Sequence, residues 1–168
     1  MSTCFACAKP GSDGDWFNLC AKMLPTDLER NRPLFKKVHV FRVKPGQELL
    51  GEIARYCQEH GISSGVVIGI IGSVRSARLN FLMELPGKYD SVDYPGPLEI
   101  VCAQGSVALK GDSPIIHIHI QLSGQDTCRG GHLAEATVFS TAEVTIGELD
   151  YQLRRHPDSY TGLNELVD

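Results

Sequence analysis

The sequence PIIHIHI at residues 114–120 alternates histidine with isoleucine. A β-strand turns successive side chains to opposite faces, so His117 and His119 point to one face and the isoleucines between them point to the other. The two imidazoles then lie side by side, roughly 6–7 Å apart at Cβ. The stretch therefore predicts a strand with one face in the core and one face that carries two histidines.

A third histidine, His132, follows a double glycine shortly after this strand. We interpret residues 123–131 as a loop that folds His132 back over His117 and His119. Three neutral imidazoles that converge on one point suit Zn²⁺, with a fourth position left for water or substrate, and other divalent first-row metals also accept imidazole. The sequence predicts a three-histidine metal site; the alternative is that these histidines are polar residues on a solvated sheet face.

The residues around this strand show the patterns of further strands and of one helix. Apolar residues at helical spacing predict a helix over 49–57, which Gly61 ends. Residues 85–97 contain two tyrosines and fit a lid or a subunit contact better than a tight turn. We expect an α/β (α+β) fold with a mainly antiparallel, mixed sheet and one principal helix. The predicted strands cover residues 38–43, 65–72, 78–83, 98–103, 105–109 and, as a strand-rich return, 133–149.

The chain divides into three parts by its patterning. Residues 1–33 are rich in Gly, Pro, Asp and Ser and show no sustained period, which is typical of an extension. The patterned domain covers residues 34–152, and residues 153–168 are predicted to form a C-terminal tail. At 168 residues the chain is long enough for one compact core and short for two.

The cysteines do not indicate a disulfide framework. Cys4, Cys7 and Cys20 lie in the N-terminal extension and supply only three of the four thiols of a structural zinc site. A second metal site there and a plain extension both remain open. Cys57 and Cys102 lie in patterned segments and are predicted to be small core residues.

Charge and hydropathy limit the partners and the location. The formal net charge is −4 and the basic residues are scattered, so the sequence lacks the basic face typical of nucleic-acid binding. No apolar run approaches the roughly 20 residues that cross a bilayer, and the first residues do not resemble a secretory signal. We therefore expect a cytoplasmic protein that does not enter a membrane.

Several motifs together resemble the PPC domain, the plants and prokaryotes conserved domain, over roughly residues 36–152. The resemblance implies an α/β fold around a mainly antiparallel sheet, assembled as a homotrimer, and some prokaryotic members look like metal-binding proteins through these histidines. In plants the domain follows AT-hook motifs in DNA-binding proteins, and this sequence contains no Arg-Gly-Arg-Pro hook. The motifs are GIIGSV at 69–74, PLEI at 97–100, HIH at 117–119, GGHL at 130–133 and Glu143-Val144.

A catalytic metal site also needs a group that moves protons near the metal-bound water. Glu99 and Glu143 are the candidates, because each lies among strand residues where an isolated carboxylate is costly to bury; outward-facing carboxylates are the alternative. Arg129 is either an anion ligand or a surface arginine. Whether the protein is an enzyme stays open; a metal-dependent hydrolase or lyase is the class that such a site suits.

Three functions follow from these observations. The leading hypothesis is a trimeric protein that uses His117, His119 and His132 to bind a divalent metal, and that binds or transforms a small molecule there. The second is a DNA-binding or regulatory module with a structural metal. The third is an assembly scaffold whose histidines are incidental.

Overall fold

The structure, a computed structural model, describes residues 35–167, where one helix and seven strands form a single mixed sheet domain. The predictions for the extension 1–33, with Cys4, Cys7 and Cys20, lie outside the described residues. The elements are β1 (Lys37–Val43), α1 (Leu49–Glu59), β2 (Gly65–Glu84), β3 (Lys88–Lys110), β4 (Ser113–Ser123), β5 (Cys128–Glu148), β6 (Arg154–Pro157) and β7 (Asn164–Val167).

Four of the strands pair in a closed ring. β5 pairs with β2, β2 with β3, β3 with β4, and β4 pairs back with the first residues of β5, always antiparallel. β1 extends the sheet along the last part of β5, and β6 joins β3 through a single parallel bridge between Leu109 and Arg154. This arrangement confirms the mainly antiparallel mixed sheet with one principal helix.

The core lies between the helix and the inner face of the ring. Ile118 and Leu122 of β4 are fully buried, as their alternation with the histidines predicts. The buried face of α1, which includes Leu49 and Ile53, packs on β4 and β5. Each such side chain contributes about 1.5–3 kcal/mol when it is fully buried. In the described residues no helix has the length and apolar character of a membrane crossing.

The ends of the helix follow from two residues. The side chain of Glu48 accepts a hydrogen bond from the Leu50 amide at 3.1 Å and another from the Ala136 amide at 3.2 Å. The carboxylate therefore provides an acceptor for a free backbone N–H group at the start of α1 and also links the helix to β5. Gly61 adopts φ of +67°, a left-handed conformation that glycine enters at little cost, and so ends the helix as predicted.

The strands are longer than the sequence patterns indicated. The predicted strands 65–72 and 78–83 are one continuous β2, and most of the predicted loop 85–97 belongs to β3. The loop prediction was wrong because exposed polar side chains, such as those of Asp90 and Asp93, remove the apolar alternation on which it relied.

Cys57 is buried as predicted, whereas Cys102 is exposed. The prediction for Cys102 was wrong because the β3–β4 register shifts between Ile100 and Cys102, so that Val101 has no partner in β4. Such a bulge turns two consecutive residues towards solvent and breaks the alternation that predicted a buried position.

The segment 153–168, predicted as a tail, carries the β6–β7 hairpin. The hairpin is held to the sheet by the bridge to β3 and by a hydrogen bond from the Gly87 amide to the Thr161 carbonyl at 2.9 Å. These contacts place the hairpin beside the turn between β2 and β3, next to the histidine face of β4.

Candidate metal centre

Strands β4 and β5 bring three histidines together. His117 and His119 lie on the same face of β4, and the antiparallel pairing of β4 with β5 places His132 directly opposite His119. The ring centroids are 5.2 Å apart for His117 and His119, 4.9 Å for His117 and His132, and 5.5 Å for His119 and His132. One ring nitrogen of each residue lies within 4.8 Å of the others. The structure thus brings together the residues that the sequence predicted as ligands.

The double glycine has a different role from the predicted one. The loop is shorter than the predicted 123–131 and covers residues 124–127, whereas Gly130 and Gly131 lie inside β5 and pair with β4. A Cβ atom added to Gly131 would lie 3.2 Å from the Phe81 ring, which is tighter than most real contacts. The glycine therefore lets Phe81 pack against the strand, and strand pairing, rather than a flexible loop, positions His132.

The donor set fits a divalent metal. Zinc binds imidazole nitrogens at about 2.0–2.1 Å, which in a tetrahedral site puts ligand nitrogens roughly 3.4 Å apart. The three nitrogens, at separations up to 4.8 Å, reach that spacing through small side-chain rotations. His117 and His132 are half-buried and His119 is exposed, so the site stays open on one side.

Electrostatics favour the neutral form of two of these imidazoles, those of His117 and His132. Burial, together with the neighbouring His132, Arg155 and His119, lowers the pKa of His117 to about 4. Burial, His119 and Arg155 also hold the pKa of His132 below its usual range. Neutral imidazole is the form that binds a metal. At neutral pH both residues therefore offer lone pairs.

Sequence reasoning missed one cation at this site, Arg155 of the C-terminal hairpin. Its Nη2 donates to Ser106 Oγ at 3.0 Å and to His117 Nδ1 at 3.1 Å, and its Nη1 donates to the Asn164 carbonyl at 2.9 Å. Arginine has no acceptor, so Nδ1 of His117 must accept in this contact. The residue is only 8% exposed, and its Nε is buried without a partner in the described structure.

The histidines and Arg155 face a cavity of about 530 Å³. This volume is within the range of small-molecule sites. Tyr89 lies 6.3 Å from His132 between ring centroids, which favours the pocket role over the interface role that the sequence left open for it. The other apolar walls come from Leu82, Ile115, Ile116 and Leu163, and the remaining polar walls come from Asn80, Asn164 and Glu165.

The family of the chain follows from its sequence over most of this domain. The family model of the Plants and Prokaryotes Conserved (PCC) domain matches residues 31–150. The chain belongs to the PCC-domain family. This confirms the resemblance to the PPC domain, and it places all three histidines inside the matched region, whereas Arg155 and the β6–β7 hairpin lie outside it.

Curated relatives match most of the chain. The bifunctional protein GlmU of Synechococcus sp. (strain JA-3-3Ab) is 30% identical over 133 residues, which are 77% of this chain and 20% of that protein. The chain thus spans about a fifth of the length of the curated relatives that it matches.

Two solved structures share the PCC-domain fold. A metal-containing protein from Archaeoglobus fulgidus is 31% identical with a TM-score of 0.75, and the match covers 80% of this chain and 95% of that one. A plant- and prokaryote-conserved (PPC) protein from Pyrococcus horikoshii is 29% identical with a TM-score of 0.74, and the match covers 80% and 93%.

Within the PCC domain, the structure does not bring the predicted catalytic carboxylates to the histidines. Glu99 is exposed and lies opposite Ser123, four residues beyond His119, which is roughly 13 Å along β4. Glu143 is exposed and lies opposite Ile71, far along β2 from the cavity. Neither residue lines the cavity.

The carboxylate that does line the cavity, among residues 35–167, is Glu165 of β7. It lies on the hairpin beyond the PCC domain, in the segment whose patterning indicated only a tail. The proton-transfer role of Glu99 and Glu143 stays a prediction, while within one chain Glu165 is the carboxylate placed for that role.

Proposed function

We propose that this PCC-domain protein binds a divalent metal ion through His117, His119 and His132, and that the adjoining cavity holds a small molecule. Zn²⁺ is the first candidate for the ion. One observation carries the proposal: three imidazoles offer nitrogens within 4.8 Å of one another at the wall of a cavity of about 530 Å³. The metal-containing relative from Archaeoglobus fulgidus supports it.

A divalent metal held by the three histidines would supply the Lewis-acid chemistry that a hydrolase or lyase of this type requires. The chain itself contributes three other things. The histidines hold the ion, the apolar walls around Tyr89 exclude water from the ligand, and Glu165 takes or gives a proton at its carboxylate oxygens. Arg155 places a positive charge beside His117.

Metal analysis tests this proposal. The untagged protein, purified and then dialysed against Zn²⁺, should hold about one ion per chain by plasma mass spectrometry. The double variant His117→Ala/His119→Ala should lose nearly all of it while remaining folded by circular dichroism, because one imidazole cannot hold the ion alone. His60→Ala is the matched control, because His60 is exposed at the end of α1 and hydrogen-bonds the Tyr56 carbonyl.

Two results would contradict the proposal. One is a wild-type protein that takes up no divalent metal; the other is a folded double variant that keeps the full metal content.

We also propose that the protein assembles as a homotrimer. Apolar side chains lie exposed on the outer face of the sheet, among them Val40 at 69% and Ile71 at 71% exposure. Val38 and Val66 flank the same residue of β5, Gly147, so their side chains extend the apolar surface across three strands. Large exposed apolar patches mark protein contacts. Light scattering should give three times the chain mass of 18.4 kDa; a monomer at micromolar concentration would contradict the trimer.

A further inference from the structure

Arg155 is a buried cation without an anionic partner in the described part of the chain. The partners of its guanidinium within residues 35–167 are uncharged: the Ser106 hydroxyl, the Asn164 carbonyl and the His117 ring. Glu165 lines the same cavity but forms no ion pair with Arg155. The Nε–H group, in addition, is buried and finds no acceptor among residues 35–167.

Such an arrangement is costly for a folded protein unless something compensates it. A buried charge without a counter-ion loses its hydration, and a buried donor without an acceptor loses a further hydrogen bond. An arginine that is only 8% exposed can regain this free energy from an anion that enters the cavity which it lines.

We propose that Arg155 is the anchor for a small carboxylate-bearing molecule bound in the cavity beside the histidines. This inference rests on the proposed function in one respect, that the cavity is a small-molecule site. The planar guanidinium fork matches the two oxygens of a carboxylate. The walls formed by Leu82, Tyr89 and Leu163 favour an organic body attached to the anion over a bare inorganic ion.

The hydrogen bond between Arg155 and His117 couples this anchor to the metal. It requires a free lone pair on Nδ1 of His117. A neutral imidazole that binds a metal through Nε2 carries its proton on Nδ1, and one that binds through Nδ1 has no free lone pair there. In both cases Nη2 of Arg155 loses His117 as an acceptor and its N–H becomes available to the ligand. The metal and the carboxylate should therefore increase each other's affinity, since coupling between two sites is reciprocal.

Two probes of nearly equal size and shape test the inference: benzoate, which is an anion, and benzamide, which is neutral. Isothermal titration calorimetry on the untagged full chain gives both affinities, with the protein once treated with a chelator and once loaded with Zn²⁺. Benzoate should bind at least about tenfold more tightly than benzamide, the effect expected of a charge-assisted hydrogen bond. The preference for benzoate should be larger in the zinc-loaded protein.

Variants assign this preference to one residue. Arg155→Gln should lose the preference for benzoate over benzamide. Arg155→Lys keeps the positive charge and should retain part of this preference. Arg129→Gln is the matched control, because Arg129 is exposed and donates to the carbonyl of its neighbour Cys128. This control should bind benzoate like the wild type.

The inference is overturned if the wild type binds benzoate no more tightly than benzamide, or if folded Arg155→Gln keeps the full preference. Inorganic phosphate that binds more tightly than benzoate would overturn the carboxylate assignment. A chain that takes up no metal but shows an Arg155-dependent preference would remove the metal proposal and leave this one standing. A protein that holds one metal ion per chain but shows no preference for benzoate would support the metal proposal and remove this inference.

Discussion

Replacing Gly105 by alanine should damage the histidine strand, and the structure indicates how much. Gly105 lies in β3 opposite Ile118, the residue between the two histidines of β4. A Cβ atom at this position would lie 1.9 Å from the His117 carbonyl oxygen and 2.9 Å from the Ile118 Cα. Real Cβ atoms essentially never approach closer than 3.0 Å, so the two strands would have to separate by about 1 Å.

The expected cost of Gly105→Ala combines two opposing effects. Overpacking of a close-packed interior costs about 1–3 kcal/mol and occasionally more, and a clash with backbone atoms belongs at the upper end of this range. Alanine in place of glycine adds back about 0.4–1 kcal/mol of stability, because it lowers the conformational entropy of the unfolded chain. The net loss in the free energy of unfolding should be about 2 kcal/mol, or roughly 4–8 °C in Tm for a chain of this length.

Urea and thermal unfolding at one fixed protein concentration measure this loss, because assembly would make the Tm depend on concentration. Gly69→Ala is the matched control: Gly69 also lies in a strand, β2, and a Cβ atom there meets nothing within 4 Å. The control should be as stable as the wild type or slightly more stable. The zinc content of Gly105→Ala should fall as well, since His117 moves with its carbonyl group. Equal stabilities of the two variants would refute the reasoning.

Two further predictions concern ionisable groups away from the cavity. Lys36 donates to Glu148 at 2.6 Å and His39 lies 3.1 Å from its other oxygen, and these contacts hold the pKa of Glu148 below its usual range. The resulting stability is fully present above the ordinary glutamate pKa of about 4.3 and is lost as the pH falls through the lowered value. Glu148→Gln should therefore cost more stability at about pH 7 than at about pH 3 in urea unfolding; equal costs would contradict this. Burial raises the pKa of the Cys57 thiol to about 11, so iodoacetamide should modify exposed Cys128 in the folded protein and should reach Cys57 only after unfolding. Peptide mass spectrometry checks this, and similar labelling rates for the two thiols would show it to be wrong.

Local alternation made the histidine strand predictable from the sequence. Ile118 and Leu122 are buried and His119 is exposed because the period of a strand is two, and this pattern needs no knowledge of the rest of the chain. His132 lies beside His117 and His119 as the sequence predicted, but for a different physical reason. The glycines before it suggested a loop, whereas both are strand residues, and the missing Cβ of Gly131 admits Phe81.

Contacts that depend on distant segments were not predictable in this way. Arg155 meets His117 across 38 positions of the chain, and neither residue belongs to a pattern that includes the other. Glu99 and Glu143 were selected because a buried carboxylate would need a role, yet both are exposed, so that premise fails. Burial of single polar residues is set by the packing of whole strands, which a short-range pattern does not determine.

The cavity is built from two parts of the chain with different relationships to the family. The three histidines lie inside residues 31–150, which match the PCC domain, whereas Arg155 and Glu165 come from the hairpin beyond it. A metal centre needs only the paired strands β4 and β5, since their register places all three imidazoles. Selection of the proposed ligand would need the hairpin, because among residues 35–167 the hairpin supplies the guanidinium and the carboxylate that line the cavity. Under the two proposals, relatives that keep the strands and change the segment after the domain would retain the metal site and bind different molecules, which is the expected behaviour when function is located in the site rather than in the fold.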